Sequence, residues 1–188
     1  MTSFGSSKIT LLGDSIRQIG YGTKVAELLG EGFEVYQPKE NCRFSKHTVR
    51  GVMCEWSNDI KGSDIVHWNN GLWDVLDYGY GTFTPEQEYI SNMLKIAEML
   101  QDKAGKVIFA TITPVTENYK LTTVEKIRRY NEIIVPELEK RGVIINDLHT
   151  TVWNNIDTYI RKDDNIHLTE AGIDACARQV CDIIKKNL

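Results

Sequence analysis

The two residues best suited to nucleophilic catalysis are Ser15 and His167, which lie near opposite ends of the chain. Ser15 follows an apolar run and ends the tripeptide Gly13-Asp14-Ser15. A serine on a tight strand-to-helix turn presents its hydroxyl at the rim of a sheet, beside N–H groups that can stabilise an oxyanion. A capping serine in an ordinary turn has the same local pattern. The tripeptide therefore suggests a nucleophile without establishing one.

The histidine is His167, in a polar loop three residues after Asp164. At this spacing a carboxylate in a turn can meet the imidazole and hold it in one tautomer. Ser15, Asp164 and His167 also follow one of the chain orders that serine triads adopt. The adjacent Asp163 is an alternative orienting acid, although the spacing favours Asp164. His149 is a weaker candidate for the base.

A carboxamide is the third candidate functional group. Asn69 ends an apolar segment and could donate a hydrogen bond to an oxyanion. Asn70 competes for the same role, and both asparagines could instead form a turn with the following glycine. We prefer Asn69 because it leaves the predicted strand directly after His67 and Trp68.

Apolar strand-like runs alternate with helical patterns along the whole chain, and this order defines the elements that must position these residues. The predicted strands are 9–12, 33–36, 64–69, 107–112 and 143–146. Alternating β and α units imply a parallel sheet with right-handed crossovers. The sequence therefore predicts a single domain over 1–188, an α/β protein with a three-layer α/β/α sandwich that is flavodoxin-like and has about five parallel strands. In such sheets, functional groups gather beyond the carboxyl ends of the strands.

Composition narrows the classes of partner. The 188 residues are 41% hydrophobic and 26% charged, as in ordinary globular proteins, and the net charge of −4 argues against a nucleic-acid partner. No apolar run is long enough to span a bilayer, so we expect no membrane partner. The N-terminal residues lack the apolar stretch of a secretory signal, which predicts a cytoplasmic protein. A chain from which a signal had been removed would look the same.

The order of these motifs resembles that of the SGNH hydrolase superfamily, also called the GDSL esterases and lipases, over nearly the whole chain. Gly13-Asp14-Ser15 resembles the first block of the family, and residues 164–168 resemble the last. The resemblance implies Ser15 as nucleophile, His167 as general base and Asp164 as orienting acid. It also places Asn69 in the oxyanion hole and implies acyl transfer without a metal or other cofactor.

Two blocks depart from the pattern of that family. In the third block, His67 stands where a glycine is usual and Asn70 where an aspartate is usual. The second block, at 41–45, lacks the glycine whose N–H usually contributes to the oxyanion hole. The predicted substitute is the backbone N–H of Arg43. The arginine side chain could also meet a polar substrate group, or simply be solvated.

The predicted function is a serine ester hydrolase acting on a small-molecule ester, with an acetyl or other small acyl group on a carbohydrate or similar substrate. Tyr78 and Tyr80, on a glycine-containing loop, could stack on a sugar or line an acyl pocket. No long apolar lid is recognisable, which favours a small acyl group. One alternative is a thioesterase or lysophospholipase on the same fold, and another is a flavodoxin-like binding domain without enzymatic activity.

Overall fold

The computed structural model describes residues 6–188. The first five residues, on which the expected lack of a secretory signal partly rests, lie outside the described part. All pairings within the sheet are parallel, and the spatial order is β2-β1-β3-β4-β5. This is the flavodoxin-like strand order, so the predicted fold class is confirmed. The strands are β1 Ser7–Leu12, β2 Phe33–Tyr36, β3 Ser63–Trp68, β4 Ala104–Ala110 and β5 Ile144–Asn146.

Helices flank this sheet in two layers. The terminal helix packs on the first one, whereas the second and fifth helices pack on the fourth. The helices are α1 Gly22–Leu29, α2 Ser45–Met53, α3 Ser57–Ile60, α4 Glu86–Gln101, α5 Val124–Glu139, α6 Leu148–Trp153, α7 Ile156–Tyr159 and α8 Glu170–Lys186. A kinked turn, Arg17–Tyr21, precedes α1, with non-helical backbone angles at Gly20. Because both faces of the sheet are covered, the last four residues of β1, β3 and β4 are all buried, and most of them are apolar.

The helical pattern over residues 48–60 is interrupted in the structure. The helix ends at Met53, and the chain then turns back so that the backbone N–H of Trp56 donates to the carbonyl oxygen of Gly51. A Cβ added to Gly51 would lie 2.3 Å from the indole ring of Trp56. The indole therefore packs directly on the glycine, and this contact accompanies the division of the segment into α2 and α3.

The strands bring the candidate residues to one edge of the sheet. β1 pairs with β2 on one side and with β3 on the other, so the chain reverses its direction of winding at β1. In open α/β sheets, binding sites form at such a reversal point. Ser15 follows β1, and Asn69 follows β3. Within residues 6–188, no helix has both the length and the apolar character needed to cross a membrane.

Candidate active site

The serine, histidine and aspartate form a continuous hydrogen-bonded chain. Nε2 of His167 lies 2.9 Å from Oγ of Ser15, and Nδ1 of the same ring lies 3.0 Å from Oδ2 of Asp164. With the carboxylate accepting from Nδ1–H, the unprotonated Nε2 faces the hydroxyl and can accept its proton. The structure thus brings Ser15 to Asp164 and His167, which lie about 150 positions further along the sequence.

The turn that carries Asp164 is fixed by its own backbone. Oδ1 of this carboxylate accepts the N–H groups of Ile166 and His167, at 3.1 and 3.0 Å. Between them, Asn165 adopts a left-handed conformation with a φ of 64°. Partial burial raises the pKa of Asp164, but the two N–H groups and the His167 imidazole outweigh it and hold this pKa below its usual value. Asp164 is therefore ionised wherever His167 acts as a base.

The alternative orienting acid is engaged elsewhere. Asp163 accepts a hydrogen bond from Nε of Arg161 at 3.0 Å, and a second guanidinium nitrogen pairs with its other oxygen. This ion pair lowers the pKa of the Asp163 carboxyl. Asp164 is the carboxylate that contacts the His167 ring, as the spacing predicted.

The turn after β1 depends on a glycine. A Cβ at Gly13 would lie 2.0 Å from Oδ1 of Asn69, so any larger residue would displace the carboxamide. The next residue, Asp14, is buried and accepts the N–H of Ile16 at 2.9 Å. Ser15 begins the helical segment, where N–H groups lack intrahelical partners. Its N–H has no hydrogen-bond acceptor within residues 6–188 and is free to bind an oxyanion.

A buried arginine, Arg17, stabilises the turn after β1. The sequence did not suggest this role. The guanidinium of Arg17, 2% exposed, donates to the carbonyl oxygens of Gly13, Pro38 and Glu40. It thereby ties the β1 turn to the loop after β2. Burial raises the pKa of Asp14 from 3.8 to about 6, although Asn69, the Ile16 N–H and Arg17 act in the opposite direction.

The two asparagines after β3 have different partners. Oδ1 of Asn69 accepts the hydroxyl of Tyr21 at 2.8 Å and also lies against Gly13, while the Asn69 side chain helps to lower the pKa of Asp14. Asn70 instead donates from Nδ2 to the carbonyl oxygen of Arg43 at 2.9 Å. Asn69 therefore faces the Ser15 turn, whereas Asn70 holds the loop after β2.

Arg43 adopts the backbone conformation that suits a glycine. Its φ is 53°, in the left-handed region that residues with a Cβ rarely occupy. Its N–H donates to Oδ1 of Asn41 at 2.7 Å, so this donor is engaged locally. The side chain is exposed. The backbone conformation of Arg43 is therefore the one expected of the usual glycine. An oxyanion could accept the Arg43 N–H only by replacing Oδ1 of Asn41.

The other candidate histidine is tied to the scaffold. Nδ1 of His149 lies 2.8 Å from the carbonyl oxygen of Ile112, and the ring stacks on Trp153. Burial lowers the pKa of His149. This ring, on α6, contacts neither Ser15 nor His167. Its hydrogen bond to Ile112 indicates a structural role.

A cavity of about 340 Å³ opens beside Ser15. Its walls include Ser15 and His167, together with the apolar side chains of Ile16, Ile19 and Ile173. It is at the small end of the range for ligand sites.

The tyrosines of the glycine-containing loop lie on an exposed turn. Asp77 closes this turn by accepting the N–H groups of Gly79 and Gly81. Tyr80 is fully exposed. The loop approaches the candidate site through Phe83, whose ring centroid lies 5.0 Å from that of Phe44, the residue after Arg43.

Comparison with known proteins identifies the fold. No family model and no curated protein matches the sequence. Among solved structures, an acetyl xylan esterase superposes with a TM-score of 0.80 at 20% identity, covering 94% of this chain and 99% of the other. A lipase/acylhydrolase from Enterococcus faecalis gives a TM-score of 0.80 at 18% identity, covering 97% of each chain. Axe2, an acetylxylan esterase from Geobacillus stearothermophilus, gives 0.76 at 18% identity, covering 97% and 96%. The chain has the fold of these proteins over nearly its whole length.

Proposed function

We propose that this protein is a serine ester hydrolase in which Ser15 is the nucleophile, His167 the general base and Asp164 the orienting acid. The observation that carries the proposal is the continuous contact from Ser15 Oγ through both ring nitrogens of His167 to Asp164, at 2.9 and 3.0 Å. A flavodoxin-like binding domain has no need for a histidine within hydrogen-bond reach of this serine. The geometry therefore favours the hydrolase over that alternative.

The first half-reaction acylates the serine. Nε2 of His167 takes the proton of Ser15 Oγ as this oxygen attacks the ester carbonyl carbon, and the carbonyl oxygen becomes an oxyanion. The intermediate collapses by breaking the bond to the alcohol oxygen, which receives the proton from His167. Asp164 stabilises the transient imidazolium without taking its proton.

The second half-reaction returns the enzyme to its starting state. His167 removes a proton from water, and the resulting hydroxide attacks the acyl group on Ser15. The acid departs, and the serine oxygen recovers the proton from His167. Every group in this cycle is supplied by the chain, by the ester or by water, so the chemistry proceeds without a cofactor.

The oxyanion is held by the N–H of Ser15 and by Nδ2 of Asn69. Each such donor is worth about 3 kcal/mol of the activation barrier. The N–H of Arg43 is a third donor if the substrate oxygen displaces Oδ1 of Asn41, which now accepts it at 2.7 Å. This exchange allows the loop to function without the usual glycine.

The substrate we propose is an ester of a small acyl group, acetyl above all, on a carbohydrate or similar small alcohol. The cavity of about 340 Å³ beside Ser15 has room for a short acyl chain and its alcohol. Two structures with this fold are described as acetyl xylan esterases, which agrees with that choice. A thioesterase or lysophospholipase would need a longer apolar channel for its acyl chain.

The test is hydrolysis of a chromogenic acetyl ester, followed by a series of acetylated sugars and longer acyl chains. We expect turnover in the wild type, and a loss of about a thousandfold or more in kcat for Ser15→Ala and His167→Ala. His149→Gln is the matched control, since it alters a histidine outside the triad. Full activity in Ser15→Ala would refute the assignment. A rate that increases steadily with acyl length would favour the thioesterase or lysophospholipase.

A further inference from the structure

A buried tyrosine holds the carboxamide of the oxyanion donor in one orientation. The hydroxyl of Tyr21 donates to Oδ1 of Asn69 at 2.8 Å, and the two side chains are 0% and 5% exposed. A carboxamide carries its acceptor and its donors on opposite branches. With Oδ1 fixed on Tyr21, Nδ2 lies on the other branch of the carboxamide, and the Asn69 side chain helps to lower the pKa of the neighbouring Asp14. An N–H of this amide is then available to a substrate oxygen.

An irregular turn places this hydroxyl. Residues Arg17–Tyr21 form a kinked turn: Gly20 has the non-helical angles φ −113° and ψ −124°, and the N–H of Gly22 donates to the carbonyl oxygen of Arg17, five residues back. A Cβ at Gly22 would lie 2.6 Å from that same oxygen, so the turn closes only around a glycine. Because the backbone at Gly20 is not helical, the next residue, Tyr21, points in a different direction from the one an uninterrupted helix would give it.

The residue that replaces the usual glycine of the third block supports the tyrosine. His67 is fully buried, and its ring meets that of Tyr21 edge-on, with centroids 5.5 Å apart and planes at 87°. Nε2 of His67 lies 3.0 Å from Nδ2 of Asn146, whose Oδ1 accepts a hydrogen bond from Gln179. Because Gln179 fixes the asparagine, Asn146 donates and His67 accepts. This chain fixes the imidazole against which Tyr21 packs.

We infer that Tyr21 is a positioning residue for the oxyanion hole, which acts by keeping Nδ2 of Asn69 directed at the substrate oxygen, with His67 as its support. The inference rests on the proposed function, because an oxyanion donor has a role only if the chain hydrolyses esters. Tyr21 does not touch the reacting atoms. Its effect passes through one hydrogen bond to Asn69.

The experiment compares two buried tyrosines. Tyr21→Phe removes only the hydroxyl bonded to Asn69, and we expect kcat for the acetyl ester to fall by about tenfold to a hundredfold with KM nearly unchanged. Tyr130→Phe is the matched control. Its hydroxyl is also buried and donates to the carbonyl oxygen of Thr84, at 2.6 Å, outside the site. The Tyr130→Phe variant should lose about as much thermal stability as Tyr21→Phe and keep the wild-type kcat. Equal kcat values in the two variants would overturn the inference.

A double-mutant cycle adds a measurement that a purely structural role would not alter. In an Asn69→Ala background, Tyr21→Phe should cost no more than about twofold in kcat, because the group that it positions is already missing. Independent, multiplying losses would contradict the inference.

The side-chain amide resonances of Asn69, assigned by their loss in Asn69→Ala, test the positioning without any reaction. We expect one slowly exchanging pair in the wild type and in Tyr130→Phe, and a shifted, fast-exchanging pair in Tyr21→Phe. An unchanged pair in Tyr21→Phe would overturn the inference even if the esterase activity were established. Undiminished turnover in Ser15→Ala would overturn the proposed function and leave this amide result to decide the role of Tyr21.

Discussion

Oγ1 of Thr116 donates a hydrogen bond to Oδ1 of Asn165 at 2.7 Å and so joins the loop after β4 to the turn that carries the candidate base. A second bond, from the N–H of Thr116 to the carbonyl oxygen of Asn165 at 3.1 Å, reinforces the contact. Asn165 itself is in the left-handed conformation, which asparagine tolerates better than most residues. The position of His167 therefore depends on a loop about 50 residues away in the sequence.

We predict that Thr116→Val lowers kcat for an acetyl ester by about fivefold, which is the effect of losing one net hydrogen bond of about 1 kcal/mol. Thr116→Ser keeps the hydroxyl and should keep the rate. Steady-state kinetics of the two variants, alongside their melting temperatures, would check this. Equal kcat values in the valine and serine variants would show that the Asn165 contact does not hold the base.

The left-handed backbone at Arg43 gives a second prediction. Arg43→Gly removes the side chain and relieves the strain at a φ of 53°, so the free energy of unfolding should rise by up to about 1 kcal/mol. Arg43→Ala removes the side chain and keeps the strain. Because the proposed donor is the backbone N–H, both variants should retain kcat on an uncharged acetyl ester within about twofold. A tenfold loss in both would assign catalysis to the guanidinium instead.

Two buried titratable groups, His67 and Asp14, should make the free energy of unfolding depend on pH in opposite directions. Burial lowers the pKa of His67 from 6.5 to about 3, so the unfolded chain binds its proton first on acidification. The stability due to the neutral ring is complete above pH 6.5 and is lost as the pH falls towards 3, by up to about 5 kcal/mol. Urea unfolding of His67→Gln should therefore show a shallower decline on acidification than the wild type. An unchanged slope would refute the buried neutral state.

Asp14 contributes with the opposite sign. Its carboxyl has a pKa raised to about 6 by burial, so the folded state holds the proton more tightly than the unfolded chain. This contribution is complete below pH 3.8 and is lost as the pH rises through 6, by up to about 3 kcal/mol. Asp14→Asn should therefore make the decline in stability on acidification from pH 6 to 4 steeper than in the wild type. A shallower decline, measured by the same urea unfolding, would contradict the raised pKa.

Much of the architecture follows from local patterns. Apolar runs bounded by polar turns predict all five strands, and the strand ends place Ser15, Asn69 and His167 at one edge. The N-terminus of α8 was also predictable, since Thr169 caps it by accepting the N–H of Gly172. The cap of α4 was not: the sequence Thr84-Pro85 suggests a capping threonine, but Pro85 occupies the N-cap position before Glu86 and no side chain caps the helix. Thr84 is held instead through its backbone N–H, which donates to the carbonyl oxygen of Asp74.

The supporting parts of the site depend on contacts that no local pattern encodes. Arg17 and Tyr21 lie on either side of a backbone kink at Gly20, so helical periodicity does not predict where both side chains point. The bond between Tyr21 and Asn69 joins residues 48 positions apart. Similarly, Oδ1 of Asn41 accepts a hydrogen bond from the Arg43 N–H, which the residue types allow but do not require. The sequence therefore suggested the candidate catalytic groups, and the structure adds the residues that hold them.

The most direct measurement of the central claim is covalent labelling with a fluorophosphonate, in which a serine oxygen attacks phosphorus and fluoride departs. Intact-mass spectrometry and peptide mapping should show one phosphonyl group per chain, on Ser15. Labelling should be absent in Ser15→Ala and slowed at least a hundredfold in His167→Ala, because the base that lies 2.9 Å from the hydroxyl is missing. A wild-type chain that stays unlabelled, or Ser15→Ala labelled at the wild-type rate, would contradict the assignment of Ser15 as an activated nucleophile.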